Sequence, residues 1–375
     1  MKNEISSLEL YYLMKEFKII EGSKIDRVYH PKNSPKELTI VCHITGQGKS
    51  ILKVVLPSII LLDDTKDSSD TQTGFGMMLR KYIEGFRIVS IAQRDFERVI
   101  TINIEGKGGT ERYTLIVELF SKGNVIFCDN ELKILNTLEE QVWKDRTIKR
   151  GEKYVYPKSK INILKIGEKE FAESLKMSDK ESLVKSLAIT FNLGGKYSEE
   201  LCAMSGIDKN VKANSLKDEQ CSKIYKNLIL LLHEEISANS CDGEIFPFIL
   251  ESMKAKEKKT YESFNDAIRE NYNMVKHTES KKDLNKNIEK IQKIIDEQLK
   301  LYEECEQEYS ENQAKGELIY EKYQEIEKII ESVKEARKKY SWKAIKQKLD
   351  ENPEMKKIIK DIDEKNNSVI IEIEK

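Results

Sequence analysis

SIAQRDFERVITINIE, residues 90–105, holds a conflict that decides how the first part of the chain is read. Apolar and β-branched residues run through Val99, Ile100, Thr101 and Ile102, as in a β-strand, yet the run opens on the adjacent charges Glu97 and Arg98. With a period of two, Arg98 falls in phase with Ile100, Ile102 and Ile104, so its guanidinium shares the sheet face that buries the isoleucines. A buried arginine is either paired or held for an anionic ligand.

The neighbouring segments extend the sheet. SKIDRVYH (23–30), ELTIVCHI (37–44) and SILKVVL (50–56) read as strands upstream; RYTLIVELF, GNVIFCD and LKILNTL read as a meander downstream, with tight turns at Lys122-Gly123-Asn124 and Asp129-Asn130. A first helix opens at Ser6-Ser7-Leu8-Glu9, with Leu10, Leu13, Met14 and Phe17 on one side. Glu9 stands three residues after Ser6, the spacing of a capping box. A second helix, FGMMLRKYIEG, stops at Gly85 and is preceded by the polar loop DDTKDSSDTQTG (63–74). Together these predict an α+β domain with a mixed, mostly antiparallel sheet over residues 1–178.

Trp143 to Lys160 is the most basic segment, with seven Lys or Arg against two acids and Trp143, Tyr154 and Tyr156 interleaved. Such a stretch can follow a phosphate backbone and stack on bases, or serve as a connector whose tyrosines pack on the sheet. Lys149, Arg150 and Lys153 are its candidate phosphate contacts. A helical domain follows over 179–240, with two short helices around Leu193-Gly194-Gly195. Glycines there let backbone approach a phosphate, so Gly194, Gly195 and Lys196 are further candidates, although a tight turn is the commoner use of the pair.

From Ile288 to Tyr340 apolar residues hold one heptad frame, and residues 241–350 are assigned to a coiled-coil arm. A helix from about Lys281 to Tyr340 would span roughly 90 Å. Gln298, Asn312 and Gly316 interrupt the seam midway, where it is expected to be loose or the helix bent. No second heptad helix of matching length follows, so the open seam predicts self-association. Residues 351–375 read as a β-hairpin entering a strand, and the chain reads as a part of something longer.

Composition narrows the classes. Charged residues reach 34% with a net charge of −1, which fits long solvated helices better than a uniformly basic nucleic-acid glove, so any basic patch is local. Six scattered cysteines form no C-x-x-C and pair with no nearby His, so neither a metal site nor a disulfide framework is expected, and no cofactor. His30, His43, His233 and His277 stand far apart and are expected to be structural. There is no Walker motif, dinucleotide fingerprint or triad pattern. With no apolar h-region or membrane span, the expectation is a cytoplasmic protein that is not an enzyme.

The quoted motifs, with LGGKYSEELCAMSGIDKN and GELIYEKYQEIEKIIESVKEARKKY, occur in one order that resembles the NFACT family. That resemblance implies an NFACT-N domain, a helix-hairpin-helix domain and a coiled-coil M arm, without the family's NFACT-R domain. It further implies a ribosome-quality-control factor that binds the large ribosomal subunit with stalled peptidyl-tRNA, recruits tRNA and directs untemplated tailing of nascent chains. The family's Asp-Arg pair matches Glu97 and Arg98, and its first-helix acid matches Glu9. Here both acids are Glu, which keeps charge but lengthens each side chain. Arg80 and Lys81 of the second helix join these as tRNA-handling candidates. The domain order is also similar to formamidopyrimidine-type DNA glycosylases, but those use an amino-terminal proline where this chain has Met1-Lys2, so that architecture without catalysis is the alternative, beside an adhesin-type fibronectin-binding role.

Overall fold

A computed structural model describes residues 4–65, 71–158, 161–254 and 256–373, with the side chains of 277 and 279–285 outside the described set. Part of the polar loop at 63–74, the Lys160 end of the basic segment and the His277 side chain therefore lie outside the described residues. Alternation in the first 140 residues becomes a sheet of β1 (Lys24–Tyr29), β2 (Glu37–Ile44), β3 (Gly48–Val55), β4 (Ile59–Asp63), β5 (Arg87–Gln93), β6 (Val99–Glu105), β7 (Arg112–Glu118), β8 (Asn124–Asp129) and β9 (Ile134–Thr137). Among the described residues these nine strands run in the order β4-β3-β2-β1-β5-β6-β7-β8-β9. Neighbours are antiparallel, as the meander predicts, and β1 meets β5 where Lys24 stands opposite Arg87, flanked by backbone bonds from Ile25 N to Phe86 O at 2.8 Å and from Ile88 N to Ser23 O at 3.0 Å.

One face of the sheet is apolar in period two. Ile100, Ile102 and Ile104 are buried as the register requires, and they join Ile25, Val28, Ile40, Leu52 and Leu115 in a core completed by α1 (Ser7–Phe17) and α2 (Gly74–Ile83). At the entry to α2 the backbone comes so close to His30 that a Cβ on Gly76 would stand 2.8 Å from the His30 Cβ. On the opposite face Val99, Ile116, Ile126 and Cys128 form a smaller cluster, roofed by Ile148 and Tyr154 from the segment that carries the short ladder β10 (Gln141–Val142) and β11 (Thr147–Ile148).

The helices α3 (Glu168–Lys176), α4 (Leu183–Thr190), α5 (Gly195–Ser205) and α6 (Asp218–His233) add Phe171, Leu187, Phe191, Leu201 and Leu228 to the first core. Gly206 ends α5 in the left-handed conformation, as its sequence position predicts. A small sheet of β12 (Asn239–Cys241), β13 (Glu244–Phe246) and β14 (Lys259–Thr260) then leads into α7 (Phe264–Glu321). The root of α7 is built into the core: Phe264 is buried, and the Glu16 carboxylate accepts the backbone N–H groups of Phe264 and Asn265, each at 2.8 Å. Burial pushes the Glu16 carboxyl up against those two bonds. The Asn265 amide accepts from Leu62 N at 2.7 Å and donates to Leu62 O at 2.8 Å, doing for outermost β4 what a neighbouring strand would do. Beside it Lys53 and Asp63 form a buried ion pair at 2.7 Å; burial alone would raise the Asp63 carboxyl, but the Lys53 bond and charge hold it below its ordinary value.

Two compact units result, Met1–Glu279 and Ser280–Lys375. In the second, α7 continues without a break in its helical pairing through Gln298, Asn312 and Gly316, because one glycine costs a helix only about 1 kcal/mol. Helical dihedrals fail at Lys322, before α8 (Tyr323–Lys339). The helix also begins well before Lys281, since the seam that marked it in sequence covers only its later part. Seam residues Ile288, Ile291, Ile295, Tyr302 and Tyr309 are exposed. Further along, Ile329, Val333 and Ala336 are covered by α9 (Trp342–Asp350) and the hairpin of β15 (Ile359–Asp363) and β16 (Ser368–Ile371), which α10 (Pro353–Ile358) precedes. Among the described residues no helix is long and apolar enough to cross a membrane.

Candidate nucleic-acid interface

The loop between β5 and β6 reverses the chain through two non-glycine residues with positive φ, Asp95 at 45° and Phe96 at 62°. Backbone of this kind is strained and persists only where its surroundings hold it. Phe96 is buried and anchors the turn. Asp95 accepts from the Asn162 amide at 3.2 Å and pairs with Arg94 at 2.8 Å, while the Arg94 guanidinium lies 4.5 Å from the centre of the Tyr156 ring. Gln93 donates through Nε2 to Ser7 O at 2.9 Å and to Glu97 O at 3.0 Å. From the helical side Asn192, itself left-handed at φ 57°, donates through Nδ2 to Ser7 Oγ, Phe96 O and Glu97 Oε2 at 2.9, 3.3 and 2.9 Å. One amide thus ties α1, the strained loop and the α4–α5 turn together.

Arg98 lies at the rim of the isoleucine face and not within it. Its backbone carbonyl still continues the sheet by accepting from Leu119 N at 2.8 Å, but its side chain is 27% exposed. The guanidinium pairs with Glu4 at 2.7 Å, and Glu4 is 54% exposed, so the ion pair is a weak surface one that an external anion can exchange. The strand begins one residue later than period-two phasing implies, and this lifts the charge out of the core.

Glu9 closes the capping box: it accepts from Ser6 N at 2.8 Å and its own N–H reaches Ser6 Oγ at 3.3 Å. Its second oxygen accepts from the Tyr197 hydroxyl at 2.7 Å, and the residue is buried. Burial, reinforced by the Glu9 charge, drives the Tyr197 phenol well above its ordinary value. Glu9 therefore positions α1 against α5 and presents no surface of its own. Gly194 occupies φ 75° at the start of α5, and a Cβ there would sit 3.9 Å from the Ser6 Cβ, so the two helix starts lie side by side. Lys196, next to it, pairs with Glu244 at 2.9 Å, and Gly195 has open space around it.

On the short helix Arg80 is engaged: Nε donates to Val28 O at 2.6 Å, the guanidinium covers the Tyr29 ring at 5.0 Å, and Glu84 lies at 3.7 Å. Lys81 is exposed.

The basic segment divides in two. Its aromatics are structural: the largely covered Arg146 grips Glu118 with both nitrogens at 2.6 and 3.0 Å, Tyr154 donates to the same carboxylate at 2.7 Å, and Trp143 covers the guanidinium at 4.5 Å. Burial and the Glu118 charge push the Tyr154 phenol up. Buried Tyr154 has no face free for a base, and Tyr156 packs edge-on against it at 5.0 Å. Its cations are another matter. Lys149, Arg150 and Lys153 project from the turn after β11, beside Lys133 across the β9 edge, all exposed and, among the described residues, without an ion-pair partner. The described residues include no cluster of His, Cys, Asp and Glu able to hold a metal ion, and burial raises the Cys42 and Cys202 thiols to about 11.

An α+β unit with a helical hairpin welded to a strained, charged loop, followed by a long helical arm, defines the class. Residues 6–368 match the family model described as NFACT N-terminal and middle domains, and the chain belongs to that family. It is 30% identical over its whole length to an archaeal Rqc2 homologue, aRqcH, of Methanocaldococcus jannaschii, of which it covers 58%. It is 27% identical over 61% of its length to ribosome quality control complex subunit 2 of Saccharomyces cerevisiae, covering 20% of that protein, and 22% identical to the human subunit NEMF over 90% of its length, covering 34%. The chain thus spans less than two thirds of these relatives. The amino-terminal part of the fibronectin/fibrinogen-binding protein of Streptococcus suis shares the fold, with a TM-score of 0.60 at 20% identity over 72% of this chain and 99% of that one.

Asn192 and Gln93 were invisible to sequence reasoning. Only the left-handed conformation, for which Asn is favoured before Leu193-Gly194, gave any local signal.

Proposed function

We propose that this protein is a ribosome-associated quality control factor of the cytoplasm, which binds the large ribosomal subunit carrying stalled peptidyl-tRNA and recruits tRNA for untemplated tailing of the nascent chain. Bond formation belongs to the ribosome; the protein supplies position. The observation that carries the reading is the coincidence of relatives named for ribosome quality control with a turn of exposed cations, Lys149, Arg150 and Lys153, that have no ion-pair partner among the described residues, on the family's amino-terminal domain. Unpaired lysine and arginine suit phosphates, which they meet without first breaking an internal ion pair. Arg98 is the group suited to a directed contact, because its partner Glu4 is a surface acid and its loop is held rigidly from three sides.

The test is to sequence, without prior selection, the RNA that co-purifies with the protein. Enrichment of one or two tRNA species with large-subunit rRNA is the expected result; RNA in proportion to its cellular abundance, or none, refutes the assignment.

A further inference from the structure

Cross-strand register assembles a feature that lies scattered through the sequence from Lys24 to Arg112. Lys49 of β3 stands opposite His43 of β2, His43 opposite Lys24 of β1, Lys24 opposite Arg87 of β5, Arg87 opposite Glu105 of β6, and Glu105 opposite Arg112 of β7. Directly opposed residues share a sheet face, so the six side chains form one row across six adjacent strands. At about 4.8 Å per strand the row is roughly 24 Å long. Lys49, His43, Lys24, Arg87 and Arg112 are exposed.

The row breaks a packing rule. Like charges directly opposite one another destabilise a strand pair, yet Lys24 faces Arg87 where β1 and β5 join the two halves of the sheet. No acid among the described residues lies in ion-pair range of Lys24, Lys49 or Arg87. Arg87 is held instead by donating to Gly22 O at 2.8 Å, which fixes a guanidinium without neutralising it. The acid of the row, Glu105, is turned toward Arg112 at 3.5 Å. Beside the row lies a polar floor in which Asn103 donates to Ser90 Oγ at 2.9 Å and accepts from Thr114 Oγ1 at 3.2 Å.

We infer that this row is a second RNA-backbone surface, separate from the Lys149–Lys153 turn, along which successive phosphates of an RNA strand or duplex are seated. An acidic protein segment is the weaker fit: a stable protein partner needs buried apolar or aromatic anchors, and the row offers cations over a polar floor, which is what phosphate contacts require. The inference rests on the RNA-binding reading above.

The experiment uses the full chain carrying K24Q, K49Q and R87Q together, the charge-keeping variant K24R/K49R/R87K, and the turn variant K149E/R150E/K153E, each titrated with unfractionated tRNA at several salt concentrations and with poly-glutamate as the competing polyanion. The neutralised row is expected to melt no lower than the parent, because like-charge repulsion is relieved, while affinity for tRNA near 0.15 M salt falls about tenfold or more and the salt slope shrinks by about 2–3. The charge-keeping variant is expected to bind as the parent does. An unchanged slope in the neutralised row, with the turn variant weakened, overturns the inference and leaves the function standing; loss of poly-glutamate binding alone assigns the row to an acidic protein and also overturns it. A parent protein that binds no tRNA removes both readings.

Discussion

The loop at Arg94–Arg98 and the turn at Lys149–Lys153 both drew attention for their charges, and the fold treats them in opposite ways. In the loop nearly every polar group has an internal partner: Asn162 on Asp95, Asn192 on Glu97, Gln93 on the backbone, Glu4 on Arg98. In the turn the cations have none among the described residues, while the aromatics interleaved with them in sequence serve an Arg146–Glu118 clamp beneath. A charged residue in a sequence therefore says little until its partners are known. Charges committed to neighbours shape a surface; uncommitted ones are available to bind.

The sharpest way to break this contrast is to attack the clamp. Glu118→Ala strands the largely covered Arg146 guanidinium and should cost about 3–5 kcal/mol, seen as a large fall in melting temperature. A small loss would mean that solvent reaches Arg146 and that the clamp is no more committed than the turn above it. Next is Asn192→Ala, which removes one donor from three acceptors and should cost about 1–3 kcal/mol. If Asn192 positions the loop, tRNA affinity per folded molecule falls along with stability, and Asn192→Asp is worse than Ala because it sets a carboxylate against Glu97. Lost stability with unaltered affinity would make Asn192 a structural weld only.

An internal titration comes third. His30 is buried, with Nδ1 at the Thr73 hydroxyl and Nε2 2.9 Å from Pro35 O, and burial lowers its pKa from the ordinary 6.5. A depressed imidazole favours folding while neutral, so its contribution is complete above pH 6.5 and is lost as pH falls below that value toward the folded pKa. Urea midpoints should decline across this window in the parent and decline less in His30→Gln; parallel profiles would assign the acid sensitivity elsewhere. The smallest stability effect belongs to the turn itself: K149E/R150E/K153E should change folding by no more than about 0.5 kcal/mol. A clear destabilisation would show that these cations have internal partners after all.

Much of the first unit was legible because its signals are local. Alternation marked β1 to β3 and β6 to β9, and the Ser6–Glu9 spacing marked the cap of α1. What escaped depends on distant partners. Asn239–Cys241 and Glu244–Phe246 are too short to read as strands without Lys259–Thr260 beside them, and α7 starts at Phe264 because Glu16, nearly 250 residues earlier, caps it. The site shows the same split. Lys149, Arg150 and Lys153 were evident as a local run of charge, whereas the roles of Glu9 and Arg98 turned on Tyr197 and Glu4, and the row from Lys49 to Arg112 exists only in the register of folded strands.

The Asn265 amide, bonded to both backbone groups of Leu62, bears on how this chain can be divided. The first turns of the arm are a wall of the head: Phe264, Ala267, Ile268 and Tyr272 are buried there, and Asn265 closes the outermost strand. Cutting the gene at the visible start of the helix, before residue 264, would yield a head with a bare sheet margin and an open apolar trough, prone to stick to its own copies. A head meant to stand alone has to carry the helix through Tyr272, so its true boundary lies inside the helix and not at its beginning.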